Sequence, residues 1–338
     1  MKITFGLYAF VFFLGLARPA HGGSLDSGIL KMFPRNIAEF GYANLEQANQ
    51  FPWFAQLKLQ SLPQRFEELE VFLGSLGMGP TSQIKEVAWA LCSRDSQSEN
   101  GGKSPRSETS ENGIVGLVFG QFDTNAAEAT LKSLNAQTVE IGDSTLFRCI
   151  NCDDLFIVFL DSNTIAFGQG KSLELMMRAR SGETDNLQQN SEMIPLINQM
   201  NDGSMFWGVL APAGARQALH KLAPDAAQFP QADEFFTNVN GLAIRIRGLE
   251  EVWDSDEIEA DVQFLSRSPG DSSNLSLLLN AALLLRKYRA SQTGDDAAKI
   301  LETVRIAPLG NSLDISFSIT NDQLMSLVEH NIFVSQTQ

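Results

Sequence analysis

The chain has 338 residues, 43% of them hydrophobic and 19% charged, which is the composition of a folded protein with a sizeable core. Its formal charge of −15 repels nucleic-acid phosphates and anionic lipid head groups, so neither is an expected partner. Three Cys and three His leave little material for a metal or nucleophile cluster.

Residues 1–22 read as a secretory signal peptide. Lys2 supplies the positive start, residues 3–17 an apolar run, and Ala20-His21-Gly22 the small residues of a cleavage site. The run is about 15 residues, short of the about 20 that a spanning helix needs, so cleavage is expected and not a membrane anchor. No Cys follows it, and no second stretch is long enough to span a bilayer. The expected product is exported, to the periplasm or outside the cell. Loss of Lys2 and Arg18 moves its charge from −15 to −17.

Residues 37–45 predict a strand. Two helical stretches follow, 47–62 and 64–77, split by Pro63; Phe66, Leu69, Leu73 and Leu76 recur at helical spacing. Residues 84–92 predict a strand. Residues 93–113 hold no large apolar side chain and read as a disordered hairpin loop, with 114–122 as the returning strand. A capped helix follows, with Asp123, Thr124 or Asn125 as the cap and Ala127, Leu131 and Leu134 on one face. The segments "TVEI", "TLFRC", "LFIVFL" and "TIAFG" predict four more strands, and "KSLELMMRAR" a closing helix.

A polar connection covers 181–192, and the same order then returns. Residues 203–211 predict a strand, 214–223 and 231–239 helices, and 241–248 and 257–265 strands. In the last of these, Ile258, Ala260, Val262 and Phe264 point one way and Glu257, Glu259, Asp261 and Gln263 the other. Residues 274–290 predict a strong helix, 298–304 a shorter one, 305–309 and 312–319 a hairpin, and 321–330 a last helix. The expected architecture is therefore α+β: a tandem duplication, 31–180 and 193–334, of antiparallel sheet covered by helices.

"TIAFGQGKS" ends like a phosphate-binding loop, but Ile165 stands where that loop needs its first glycine, inside an alternating strand. The local task is to start a helix after a hairpin, with Gly168 and Gly170 easing the turn. "RCINCDD" is a Cys-x-x-Cys between two strand-like segments, not at a helix start. It reads as a staple, Cys149 to Cys152, across a turn in an oxidising compartment, which leaves Cys92 as a buried free thiol. Pairing of Cys92 with either of the others stays open. His220 and His330 lie on helical stretches, with no Gly-x-Ser-x-Gly nearby and no metal-ligand spacing. No cofactor, metal or catalytic residue is assigned. The acidic run 250–261 lacks the Asp-x-Asp-x-Asp-Gly loop of a calcium site and reads as a charged turn and strand face.

Two apolar stretches are the candidate ligand-binding elements. One is the Leu-rich helix carrying Leu279 and Leu283, apolar nearly all round and so expected to be buried on more than one side. The other is "FPWFAQL", where Trp53 and Phe54 are placed to line a binding mouth. The hairpin "DSNTIAFG" running into a helix, and the junction "LGMGPTSQIKEVAWAL", resemble uncharacterised exported bacterial proteins of a domain-of-unknown-function type. That resemblance implies a signal peptide followed by strand-helix-strand repeats and carries no catalytic residues. The expected function is a soluble, non-enzymatic binding or protein-interaction module, whose partner is an unknown protein or an apolar small molecule. Its alternatives are a carrier of a lipid or other apolar ligand, and a hydrolase with a dispersed carboxylate site.

Overall fold

The computed structural model describes residues 25–51, 54, 62, 64–78, 84–93, 113–150, 152, 154–248, 257–293 and 297–320. The signal segment 1–22, the loop 94–112, Trp53 and the helix expected at 321–330 lie outside the described residues.

In chain order the elements are α1 (Ser27–Leu30), β1 (Ile37–Asn44), α2 (Leu45–Ala48), α3 (Gln64–Ser75), β2 (Ile84–Cys92), β3 (Ile114–Gly120) and α4 (Thr124–Ser133). Then come β4 (Thr138–Ile141), β5 (Ser144–Arg148), β6 (Leu155–Phe159), β7 (Thr164–Gln169), α5 (Gly170–Ser181) and α6 (Met193–Met200). The chain continues through β8 (Phe206–Leu210), α7 (Pro212–Leu222), α8 (Ala232–Thr237), β9 (Val239–Gly248) and β10 (Glu257–Ser266). It finishes with α9 (Pro269–Thr293), α10 (Ala297–Thr303), β11 (Arg305–Leu309) and β12 (Ser312–Thr320).

The expected α+β class is what the chain adopts, and all twelve strands belong to one antiparallel sheet. Its order is β11-β12-β10-β9-β8-β1-β2-β3-β7-β6-β5-β4. From the β8–β1 junction outward each side begins alike, with three strands in chain order, β8-β9-β10 and β1-β2-β3; strands in reverse order then complete it, two on one side (β12-β11) and four on the other (β7-β6-β5-β4). At the junction Gly41 faces Gly208, Phe40 faces Val209 and Tyr42 faces Trp207.

Alternation along the strands builds two faces. One face carries two apolar clusters. The first gathers Phe66, Leu69, Val87, Trp89, Val118 and Ile165 beneath α3 and α4. The second gathers Leu219, Phe236, Leu242, Phe264, Leu275 and Leu313 beneath α7, α8 and α9. The opposite face holds Phe40, Tyr42, Leu117, Val158 and Trp207 against α1, α5 and α6. Beyond β9 that second face turns polar. Arg245 reaches Asp202 at 2.8 Å and Asp261 at 2.9 Å, while Arg247 pairs with Asp261 and, at 3.5 Å, with Glu259. The acidic strand face read from the sequence is thus neutralised by the strand beside it, since the register sets Arg247 opposite Glu259 and Arg245 opposite Asp261.

Three local readings need correction. The connection 181–192 is followed by a helix, α6, that the sequence reading left unassigned; Pro195 sits in its first turn, where its missing N–H costs nothing. Gly168 does not ease a turn: it lies inside β7, where a Cβ would press to 2.7 Å from the Ile114 carbonyl oxygen. And α9 is not buried all round. Leu275, Leu278, Leu279 and Ala282 face inward, but Leu277, Leu284 and Tyr288 are 72%, 68% and 66% exposed. The helix lies outermost on its face of the sheet, so only one side of it meets the core.

At the junction a side chain on Gly41 would overlap the Trp89 indole. Replacing Gly41 with Ala is expected to lower stability by about 1–3 kcal/mol in denaturant titration. Gly74→Ala, in helix α3 with open space at the Cβ position, is expected to raise it by up to about 1 kcal/mol.

Burial works against ionisation of Asp202, but hydrogen bonds from Ser204 and the Arg245 and Arg247 charges hold its carboxyl below the ordinary value of 3.8. The stability it contributes is present above that value and is lost as pH falls through its lowered pKa. Asp202→Asn should therefore flatten the fall of Tm with pH below 3.8 and cost less than about 1 kcal/mol at neutral pH.

Candidate functional site

The inward face of α9 does not rest fully on the sheet. Between α9, α10, the end of α7 and strands β10, β11 and β12 lies a cavity of about 450 Å³. This falls within the about 300–1,000 Å³ of small-molecule sites. Its walls are Leu279, Ala282 and Leu283 of α9, Ile300 and Leu301 of α10, Ile306 of β11, and Ile315 and Phe317 of β12. The floor is the inner row of β10, Val262 and Phe264.

Strand periodicity makes the cavity visible in the burial pattern. Leu313 and Ile319 at the two ends of the inner row of β12 are buried, while Ile315 and Phe317 between them are only half-buried. A filled core would cover all four alike. The middle pair faces space.

The rim is polar on one side. Lys221 and Arg286 are exposed there, beside Leu222 and Pro224. Asp225 lies just inside and is buried. Arg289 pairs with its Oδ1, and Arg286 approaches its Oδ2 at 3.9 Å.

Of the residues named from the sequence, Leu279 and Leu283 meet in this cavity. Phe54 does not join them: it is buried in the cluster beneath α3, on the other half of the sheet. The sequence reading missed the contributions of β12, α10 and the α7 rim. The alternation of Leu313, Ile315, Phe317 and Ile319 marks the strand's inner face, but a void beneath an α-helix leaves no periodic trace.

The other candidates have structural placements. Cys149 and Cys152 form a disulfide with Cα atoms 5.4 Å apart, across the turn from β5 to β6. Cys149 also donates its backbone N–H to the Leu155 carbonyl at 2.8 Å, so the staple and the strand ladder close the same turn. Cys92 is a buried free thiol. Ile165 is buried in β7 where a phosphate loop would need glycine. His220 stands in the last turn of α7 with its ring edge-on to Phe236, centroids 4.7 Å apart. Among the described residues no three His, Cys, Asp or Glu side chains converge as metal ligands. Burial lifts the Glu39 carboxyl above its ordinary range, and the group that meets it is the Trp89 indole N–H at 3.1 Å, not a second carboxylate. Glu39 is outside the cavity wall.

No family model matches the chain, and no curated protein matches it. Solved structures of similar fold include crystal form I of TP0453, with a TM-score of 0.47 at 10% identity over 92% of this chain and 99% of that one. Crystal form III of TP0453 gives 0.46 at 11% identity over 91% and 99%.

Burial pushes the Cys92 thiol up to about 11, against a smaller downward pull from Ser172. At pH 8 it is therefore a thiol and not the reactive thiolate. The native, unreduced chain should take up no maleimide, and the denatured, unreduced chain one equivalent, read by mass spectrometry. Uptake by the native protein would show the site to be open.

Proposed function

We propose that the chain is an exported, soluble, non-enzymatic binding protein that carries a lipid or other apolar molecule in the cavity under α9. The observation that carries this reading is the combination of about 450 Å³ of space with walls of Leu, Ile, Phe and Ala side chains. An apolar hollow of this size leaves its wall side chains short of packing partners, and an apolar occupant supplies them. The binding module and the apolar-ligand carrier expected from the sequence merge in this proposal. The expected export belongs to it too, as does the resemblance to exported bacterial proteins. The disulfide between Cys149 and Cys152 supports an oxidising destination, because such bonds are rare in reducing compartments. Among the described residues no helix is long and apolar enough to cross a membrane. The duplication of 31–180 and 193–334 is part of the same proposal, supported by the strand order mirrored about the junction.

A second reading, contact with a protein partner, is supported by the outer stripe of α9, where Leu277, Leu284 and Tyr288 stand in solvent at near-helical spacing. It is compatible with the first, since the two sides of α9 are separate.

The test uses an environment-sensitive apolar dye titrated into the purified, delipidated chain. Ala282 lines the cavity wall and is 5% exposed, so Ala282→Trp directs an indole into the space. Dye affinity should fall at least about tenfold, with stability within about 1 kcal/mol of the parent because the space receives the ring. Unchanged affinity would end the proposal.

A further inference from the structure

We infer that the occupant of the α9 cavity is a single acyl chain with an anionic head, bound with the head at the rim against Lys221 and Arg286. The inference rests on the apolar-ligand reading above and adds the chemistry of one end of the ligand.

The cavity has one chemical polarity. Its depth is hydrocarbon from β10, β12 and α10, with no charged side chain among the described residues there. Among the described residues, every charged side chain that lines it lies at one place, where α7 and the loop after it meet α9: Lys221, Asp225 and Arg286. The buried Asp225 is the one negative group there, and Arg289 neutralises it by direct contact with Oδ1. Arg286 stands 3.9 Å from the other oxygen, beyond hydrogen-bond reach, so its guanidinium retains donors for a second acceptor. Lys221 adds a second positive charge at the exposed rim. Counting Lys221, Arg286 and Arg289 against Asp225, the rim is positive on a chain whose formal charge is −15. A local reversal of this kind, at a polar end of an apolar hollow, selects an amphiphile with a negative head over a neutral oil.

The shape argues for one chain. About 450 Å³ walled by a sheet below and two helices above is a slot for one hydrocarbon tail, not a bilayer-like pair with its glycerol. A carboxylate and a phosphate monoester share the required head chemistry, and both accept from guanidinium and ammonium groups.

The experiment measures displacement of the same dye from the full chain by hexadecanoate, hexadecyl phosphate and methyl hexadecanoate at low salt. Both anions should compete about tenfold better than the ester, the order expected of two rim ion pairs. That margin should shrink as salt is raised, because the pairs are exposed. Whichever anion binds more tightly identifies the head. Lys221→Met together with Arg286→Met should leave the three compounds alike. Arg35→Met, a cation outside the cavity, should keep the preference. Circular dichroism checks that each variant is folded. Equal affinity of acid and ester in the parent protein overturns the inference while leaving the apolar-ligand reading intact, and so does a preference that survives in the folded double variant. Failure of all three to displace the dye overturns both.

Discussion

Five residue pairs between β1 and β8 hold the molecule together as one sheet. Without them the order divides into a seven-stranded and a five-stranded piece. The pairing joins segments more than 160 positions apart, yet closure entropy grows only logarithmically with loop length, so the distance itself is a modest cost. What offsets that cost is aromatic. Phe40 and Tyr42 from β1 each lie 5.6 Å, centroid to centroid, from the Trp207 ring of β8. All three are buried completely, each contributing on the order of 2 kcal/mol. On the opposite face the absence of a side chain at Gly41 leaves room for the Trp89 indole beside the joint.

From that joint the rest of the architecture follows. Because the sheet is continuous, each helix layer is shared between its two sides, and the inner rows of β10 and β12 pass from one cluster to the next: Ile258 and Ile319 belong to the first, Phe264 and Leu313 to the second. The cavity opens within this second cluster. Its roof is α9, a 25-residue helix. The neighbouring α10 is short, and among its described side chains Ile300 and Leu301 reach the wall. The space left between these helices and the sheet is lined with hydrocarbon.

Much of this was legible in the sequence, for reasons that can be named. The alternation in residues 257–265 fixed both the strand and its faces, because a period of two has no helical counterpart. Cys149 and Cys152 were readable as a staple because strands flank them on both sides. Leu279 and Leu283 were picked from the density of leucine, and they do reach the cavity. The partners of the acidic strand were hidden, since Arg245 and Arg247 sit on β9 and only the cross-strand register brings them to Asp261 and Glu259. Gly168 looked like turn punctuation because a glycine in a strand and a glycine in a turn are spelled the same way. The single sheet was also beyond reach: nothing local in "FGYA" or "FWGV" states that the two will pair.

The mirrored strand order carries a consequence for any attempt to divide the chain. A cut in the connection between α5 and α6 would free two fragments, each ending in a strand stripped of its neighbour. β1 and β8 are largely apolar, glycine-bearing and devoid of lysine and proline; Glu39, beside a register irregularity in β1, and the shortness of β8 are all that would blunt the bared margins. Such fragments would find each other again or clump with copies of themselves.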